Sequence, residues 1–107
     1  MTQGTAFLMV RATVTDEADR AGFDAWYRDH HLGFARDTLG AVRASRFWCR
    51  SDPALHVALY EFPDMAALEQ RMASSGLKVL LADFDGAWPQ VGRTRELMEM
   101  VQDTGAG

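Results

Sequence analysis

Trp26-Tyr27-Arg28-Asp29-His30-His31-Leu32 sets two aromatic residues directly before two adjacent histidines. Read outward, the stretch lies inside an amphipathic helix, with Phe23, Trp26, Tyr27, His30 and Phe34 at spacings of three and four forming one stripe. Asp24 and Arg28, four apart, fall outside that stripe as an exposed pair. Upstream, Thr15 and Asp16 offer side-chain oxygens to cap the helix, and Glu17 and Asp19 place negative charge where the helix dipole favours it. Gly33 and Gly40 weaken the helix, so a bend near Gly33 and an end near Leu39-Gly40 are expected.

Strands flank this helix. Residues 6 to 14 are β-branched or apolar at nearly every position, the pattern of a strand covered on both faces. Residues 42 to 50 read as a second strand closed by Ser51-Asp52-Pro53, and residues 55 to 62 as a third, the two forming an antiparallel hairpin. Asp64 caps a short helix carrying Met65, Leu68 and Met72, stopped by Ser74-Ser75-Gly76. A further helix places Leu77, Leu80, Leu81 and Phe84 in register and ends by Trp88-Pro89, and residues 91 to 101 form the last strand. The order is β-α-β-β-α-β with the second helical region split in two, which predicts an α+β, ferredoxin-like fold: a four-stranded antiparallel sheet with helices on one face. One domain over residues 5–102 and a flexible tail over 103–107 are expected.

The chain has 107 residues, 48% of them hydrophobic and 24% charged, the balance of a globular protein. A formal charge of −4 gives no basic field for a phosphate backbone, so nucleic acid is excluded as a partner. An RNA-recognition sheet would share the topology, but the basic-aromatic motif of such sheets is absent. No apolar run approaches the roughly 20 residues that span a bilayer, so no membrane association is expected. Met1-Thr2-Gln3-Gly4 does not open a signal segment and the single Cys49 has no disulfide partner in the chain, which points to the cytoplasm.

A sheet covered on one side only should alternate apolar and polar residues. Phe7, Met9, Trp48 and Tyr60 break that alternation by lying at both parities, so the second face meets something apolar. A second copy of the chain is the expected occupant, giving a homodimer through the open sheet face.

The element order and the Trp26-Tyr27 motif together resemble the dimeric α+β barrel superfamily, and within it the EthD-like proteins and their relatives. In that branch the first helix carries an aromatic pair, three residues, then a histidine commonly followed by a small or aliphatic residue and proline. Here Arg28-Asp29-His30 separates the pair from His31-Leu32-Gly33, so His31 matches the family histidine and Gly33 stands where proline is usual. Leu81-Ala82-Asp83-Phe84-Asp85-Gly86-Ala87-Trp88 looks like the family's third helix. The resemblance implies a two-fold dimer whose sheets close into a barrel, with a cleft in each subunit between sheet and helices. It also implies cofactor-free chemistry of the isomerase, cyclase or monooxygenase kind, on small cyclic or polyketide-like carbonyl or phenolic compounds.

His31 is the candidate catalytic residue, because an imidazole both takes and gives a proton near neutral pH. On an ideal helix it lies about 80° from Phe23, at the stripe's edge beside Tyr27. A structural histidine bound to a neighbouring strand is the competing reading. His30 is more central to the stripe and reads as a packed, interface or substrate-contacting side chain. Adjacent histidines project about 100° apart on a helix and no third ligand is suitably spaced, so no metal site is expected.

Strand parity supplies further substrate-binding candidates. With Leu8, Val10, Leu55, Val57 and Leu59 facing the helices, Arg11, His56 and Tyr60 face the barrel side, joined by Arg46 and Trp48 from the second strand. The arginines would hold a carboxylate or phenolate, or else bridge to Glu61, Glu96 or Glu99, while Tyr27 and Tyr60 would steady an enolate oxygen. Cys49 reads as inert, and no phosphate-binding glycine loop is present. Two functions remain open: a cofactor-free enzyme working by proton transfer, or a non-catalytic ligand-binding or accessory homodimer.

Overall fold

The computed structural model describes residues 4–105, so Met1-Thr2-Gln3 and the end of the expected tail lie outside the described residues. β1 (Ala6–Thr13) leads through a 3-10 turn (Glu17–Asp19) into α1 (Arg20–Trp26), a π-helical turn (Tyr27–His31) and α2 (Leu32–Leu39). β2 (Arg43–Trp48) and β3 (Leu55–Phe62) follow, then α3 (Met65–Met72), α4 (Ser75–Ala87) and β4 (Gly92–Glu99). The strands form one antiparallel sheet in the order β2-β3-β1-β4, the ferredoxin-like arrangement. Among the described residues, no helix is long and apolar enough to cross a membrane.

Local chemistry sets most of the boundaries. Asp16 accepts a hydrogen bond from the Ala18 amide at 3.0 Å, and Asp64 caps α3 by accepting from the Ala67 amide at 2.8 Å. Gly40 ends α2 in the left-handed conformation, φ 67°, which a side chain would strain. Ser74 and Ser75 do more than stop α3: after a short break at residues 73 and 74 the chain restarts as α4 at Ser75.

The first helical run is irregular, but not at Gly33, which lies within α2. Its irregularity is the π turn, in which the Leu32 amide donates to the Tyr27 carbonyl, five residues back. The buried residues of the run are Phe23, Tyr27, His31, Ala35 and Leu39, each four apart. On a regular α-helix a spacing of four overshoots each turn by about 40°, and five such residues would wind off the sheet. The wider π turn takes back part of that drift, so the stripe stays on one face. It also changes where the two histidines sit in the stripe: His31 is buried within it and not at its edge, whereas His30 is exposed instead of packed.

Strand register corrects the expected parity of β3. Leu8 pairs with Tyr60, Val10 with Ala58 and Ala12 with His56, so His56 and Tyr60 face the helices, not the barrel side. Both are buried, as are Ala58 and Phe62, while Leu55, Val57 and Leu59 are half-buried on the opposite face with Met9. On β2, Trp48 is opposite His56 and Arg46 opposite Ala58, so these two also belong to the helix-facing side. Arg11 keeps its expected place on the open face, where its guanidinium lies 3.9 Å from Glu96 of the same chain.

Candidate active site

The π turn, α4 and the sheet together position His31. Its Nδ1 donates to Asp83 Oδ2 at 2.7 Å, and its ring stacks on Trp26 at 4.3 Å between centroids. Tyr27 meets the ring edge-on at 5.0 Å, and Phe84 closes a third side at 6.0 Å. The bond to Asp83 fixes the tautomer: the proton sits on Nδ1 and the lone pair on Nε2. Burial holds the His31 pKa below that of a free imidazole, against the hydrogen bond and charge of Asp83, which raise it. The ring is therefore neutral at pH 7, with a basic nitrogen and a carboxylate ready to stabilise the protonated form.

Asp83 is shared. His30 Nε2 lies 3.0 and 3.1 Å from its two oxygens, so both histidines converge on one carboxylate of α4. Burial works to raise the Asp83 pKa, but the hydrogen bonds from His31 and His30 outweigh it and hold the carboxyl below its usual range. Among the described residues no group of three potential ligands is placed to hold a metal ion.

His31 lines a cleft between the sheet and the helices, together with Tyr27 and Ala35 from the first helical run, Leu8, Val10 and Tyr60 from the sheet, and Leu77, Leu81 and Phe84 from α4. The open volume is about 40 Å³, room for a few water molecules. A ring-sized ligand enters only as half-buried side chains such as Leu77 and Leu81 move aside. Burial raises the phenol pKa values of Tyr27 and Tyr60, keeping both protonated and able to donate. Two arginines complete the wall. Arg93 lies 4.1 Å over the Phe84 ring and 2.9 Å from Asp85, and Arg95 is exposed at the rim.

The other expected residues gather elsewhere. Asp24 Oδ1 accepts from Arg46 Nη1 at 2.7 Å and from Trp48 Nε1 at 2.8 Å, and the same Arg46 nitrogen lies 3.4 Å from His56 Nε2. Arg46, then Trp48, hold the Asp24 carboxyl below its ordinary pKa. Asp24 is thus more than the exposed partner of Arg28, which it meets at 3.6 Å. His56, fully buried among Phe23, Tyr27 and Trp48, has its pKa pushed down to about 4 by burial and by Arg46. It is a neutral packed ring whose Nδ1 has no partner among the described residues. Of the expected set, then, His31, Tyr27 and Tyr60 share the cleft and His30 braces it from outside. Arg46, Trp48 and His56 form a separate polar cluster, and Arg11 is on the far side of the sheet.

Asp83, Arg93 and Arg95 escaped the sequence reading. Each left a trace: Asp83 is an acid set between Leu80 and Phe84 on an apolar helix, and the two arginines share the parity of Leu97. The partners of Asp83 are distant in sequence, either histidine lying more than fifty residues away.

Several solved structures share this architecture. A single-site variant of SnoaB, a cofactor-independent oxygenase from Streptomyces nogalater, superimposes with a TM-score of 0.68 at 18% identity, over 94% of this chain and 96% of that one. An EthD family protein from Bacillus halodurans gives 0.68 at 17% identity, over 88% and 97%. A dimeric ferredoxin-like protein from an uncultured marine organism gives 0.64 at 16%, over 94% and 98%. No protein-family model matches the chain, and no curated protein matches it in sequence. The chain has the fold of the dimeric ferredoxin-like α+β proteins, a group that includes EthD-like structures.

Proposed function

We propose that the protein is a small enzyme that needs no cofactor and works by proton transfer on a small cyclic or polyketide-like carbonyl or phenolic compound. The observation that carries this reading is the Asp83–His31 pair, with a 2.7 Å hydrogen bond on one ring nitrogen and an apolar cleft beside the ring. His31 Nε2 removes a proton from a carbon next to a carbonyl, or from a phenol, and Asp83 stabilises the resulting imidazolium. Tyr27 and Tyr60 donate hydrogen bonds to the enolate or phenolate oxygen. Isomerisation, ring closure and cofactor-free oxygenation all begin with this step, so the residues define the first half of a reaction and leave its second half to the substrate. The likeness to SnoaB, itself a cofactor-independent oxygenase, supports a reaction of this class. The same reading includes a homodimer through the open sheet face, in line with the dimeric ferredoxin-like neighbour.

The test is deuterium exchange from heavy water into the carbon next to the carbonyl of 2-tetralone, followed by proton NMR. The wild-type chain accelerates exchange, and His31→Ala lowers the rate by about a hundredfold or more, the usual contribution of a general base, with an unchanged circular dichroism spectrum. Equal exchange by wild type and His31→Ala overturns the assignment. Saturable binding of the ketone without exchange points instead to a ligand-binding or accessory dimer.

A further inference from the structure

The chain carries fifteen acidic residues against eleven basic ones, yet the charged residues in the wall of its mostly apolar cleft are both arginines. The ionisable side chains lining it are His31, Tyr27, Tyr60, Arg93 and Arg95, and no carboxylate is among them. Asp83 and Asp85, the nearby acids of α4, are engaged by the histidines and by Arg93. Arg95 differs from Arg93, the other arginine of the wall: Arg93 lies 2.9 Å from a carboxylate of Asp85, whereas Arg95 has no ion pair or hydrogen bond among the described residues. Register explains why: the helix-facing positions of β4 beside it are Arg93 and Leu97, Val10 lies opposite it on β1, and Glu96 points to the other face of the sheet.

From this placement we infer that the cleft takes a small cyclic or aromatic monocarboxylate, its ring lying on Val10, Leu77 and Leu81 and its carboxylate held by Arg95. The inference deepens the proposed proton-transfer function by giving its substrate an anionic handle, and it rests on that reading only for what happens to the ligand afterwards. A guanidinium presents two parallel N–H donors that match a carboxylate, which favours this group over a lone phenolate oxygen. One free guanidinium matches one negative charge, and the rest of the wall is too apolar for a phosphate. Arg93 is already committed to Asp85 and to the Phe84 face, so it shapes the wall while Arg95 binds.

Benzoate and its neutral isostere benzamide form the test pair, titrated by 15N-edited NMR into the wild-type chain, Arg95→Gln, Arg95→Lys and His31→Ala. Benzoate is expected to bind the wild type at least about tenfold more tightly than benzamide, with shifts at Leu77, Leu81 and the Arg95 side chain. Arg95→Gln abolishes that preference by weakening benzoate alone, Arg95→Lys restores part of it, and added salt narrows it because the rim is exposed. His31→Ala, which keeps the guanidinium, retains the preference while losing deuterium exchange, so the charge readout and the proton-transfer readout fail independently. The inference is overturned by equal binding of the two probes, by wild-type benzoate affinity in Arg95→Gln, or by no shift with benzoate at about 10 mM.

Discussion

Burial and Asp83 pull the His31 imidazole in opposite directions, and burial wins. A depressed pKa leaves the ring in its basic form throughout the neutral range, so exchange catalysed by His31 is flat near pH 7 and falls only on the acid side of 6.5. Asp83→Asn removes the charge that raises the His31 pKa and leaves at most a weaker, neutral hydrogen bond in its place. The acid limb of the rate profile therefore moves to lower pH, and the plateau drops because the protonated ring loses its counter-charge. Histidine side-chain NMR of the same variant follows the shift directly, and an unmoved His31 titration would show that Asp83 does not act on it. His56 has a different consequence. Its folded pKa of about 4 lies below the unfolded value of about 6.5, so the unfolded chain binds the proton first as pH falls. Its contribution to stability is complete above pH 6.5 and is lost on descending toward 4. Between pH 7 and 5 this amounts to about 2 kcal/mol in urea unfolding, and His31 adds a loss of the same sign. His56→Phe should remove most of that slope, and an unchanged slope would locate the linkage elsewhere.

At the scale of elements, two glycines of the first helical run give opposite expectations. Gly40 has φ 67°, and a Cβ there would also meet Arg71 Nη2 at 3.0 Å. Gly40→Ala should cost about 1 to 2 kcal/mol and lower the melting temperature by several degrees. Gly33 lies inside α2, where an added Cβ makes only an ordinary 3.9 Å contact with Arg36. Gly33→Ala should stabilise the fold by about 1 kcal/mol, and a loss on thermal melting would mean that the bend once expected at Gly33 exists in solution. The same run marks the limit of what the sequence could reveal. The order of elements, the Asp64 cap and the end of α2 were legible because hydrophobic period and capping chemistry are local. The burial of His31 and the exposure of His30 were not, because a π turn leaves no trace in a pattern read at 3.6 residues per turn. β3 misled for another reason. Leu55, Val57 and Leu59 look more core-like than His56, Ala58 and Tyr60, but both faces of this strand carry apolar residues, and only pairing with Leu8 and Ala12 decides which side is inward.

At the scale of the molecule, the face that misled is the one that matters most. Met9 lies opposite Leu59 and Phe47 opposite Val57, so the side of the sheet away from the helices carries contiguous apolar pairs. Phe47 is 52% exposed. Around these residues the same face carries charge: Arg11 with Glu96, and Arg43 opposite Glu61. An apolar centre with a polar rim is the composition of a protein interface, and an uncovered patch of this kind favours association. Two copies related by a two-fold axis would bury it against itself and complete the barrel. Sedimentation equilibrium of the wild-type chain should return twice the chain mass at micromolar concentration. Leu59→Asp places a charge at the patch centre that neither copy can pair, and should raise the dimer dissociation constant by at least about a hundredfold. Val79→Asp, on the half-exposed outer side of α4, is the control and leaves the dimer intact. A wild-type monomer, or a Leu59→Asp chain that still dimerises, would mean that this face has another use. The cleft lies on the opposite side of the sheet, so monomeric Leu59→Asp should keep the Asp83–His31 hydrogen bond, and any loss of exchange in it would measure how far pairing of two copies stiffens the sheet beneath Tyr60.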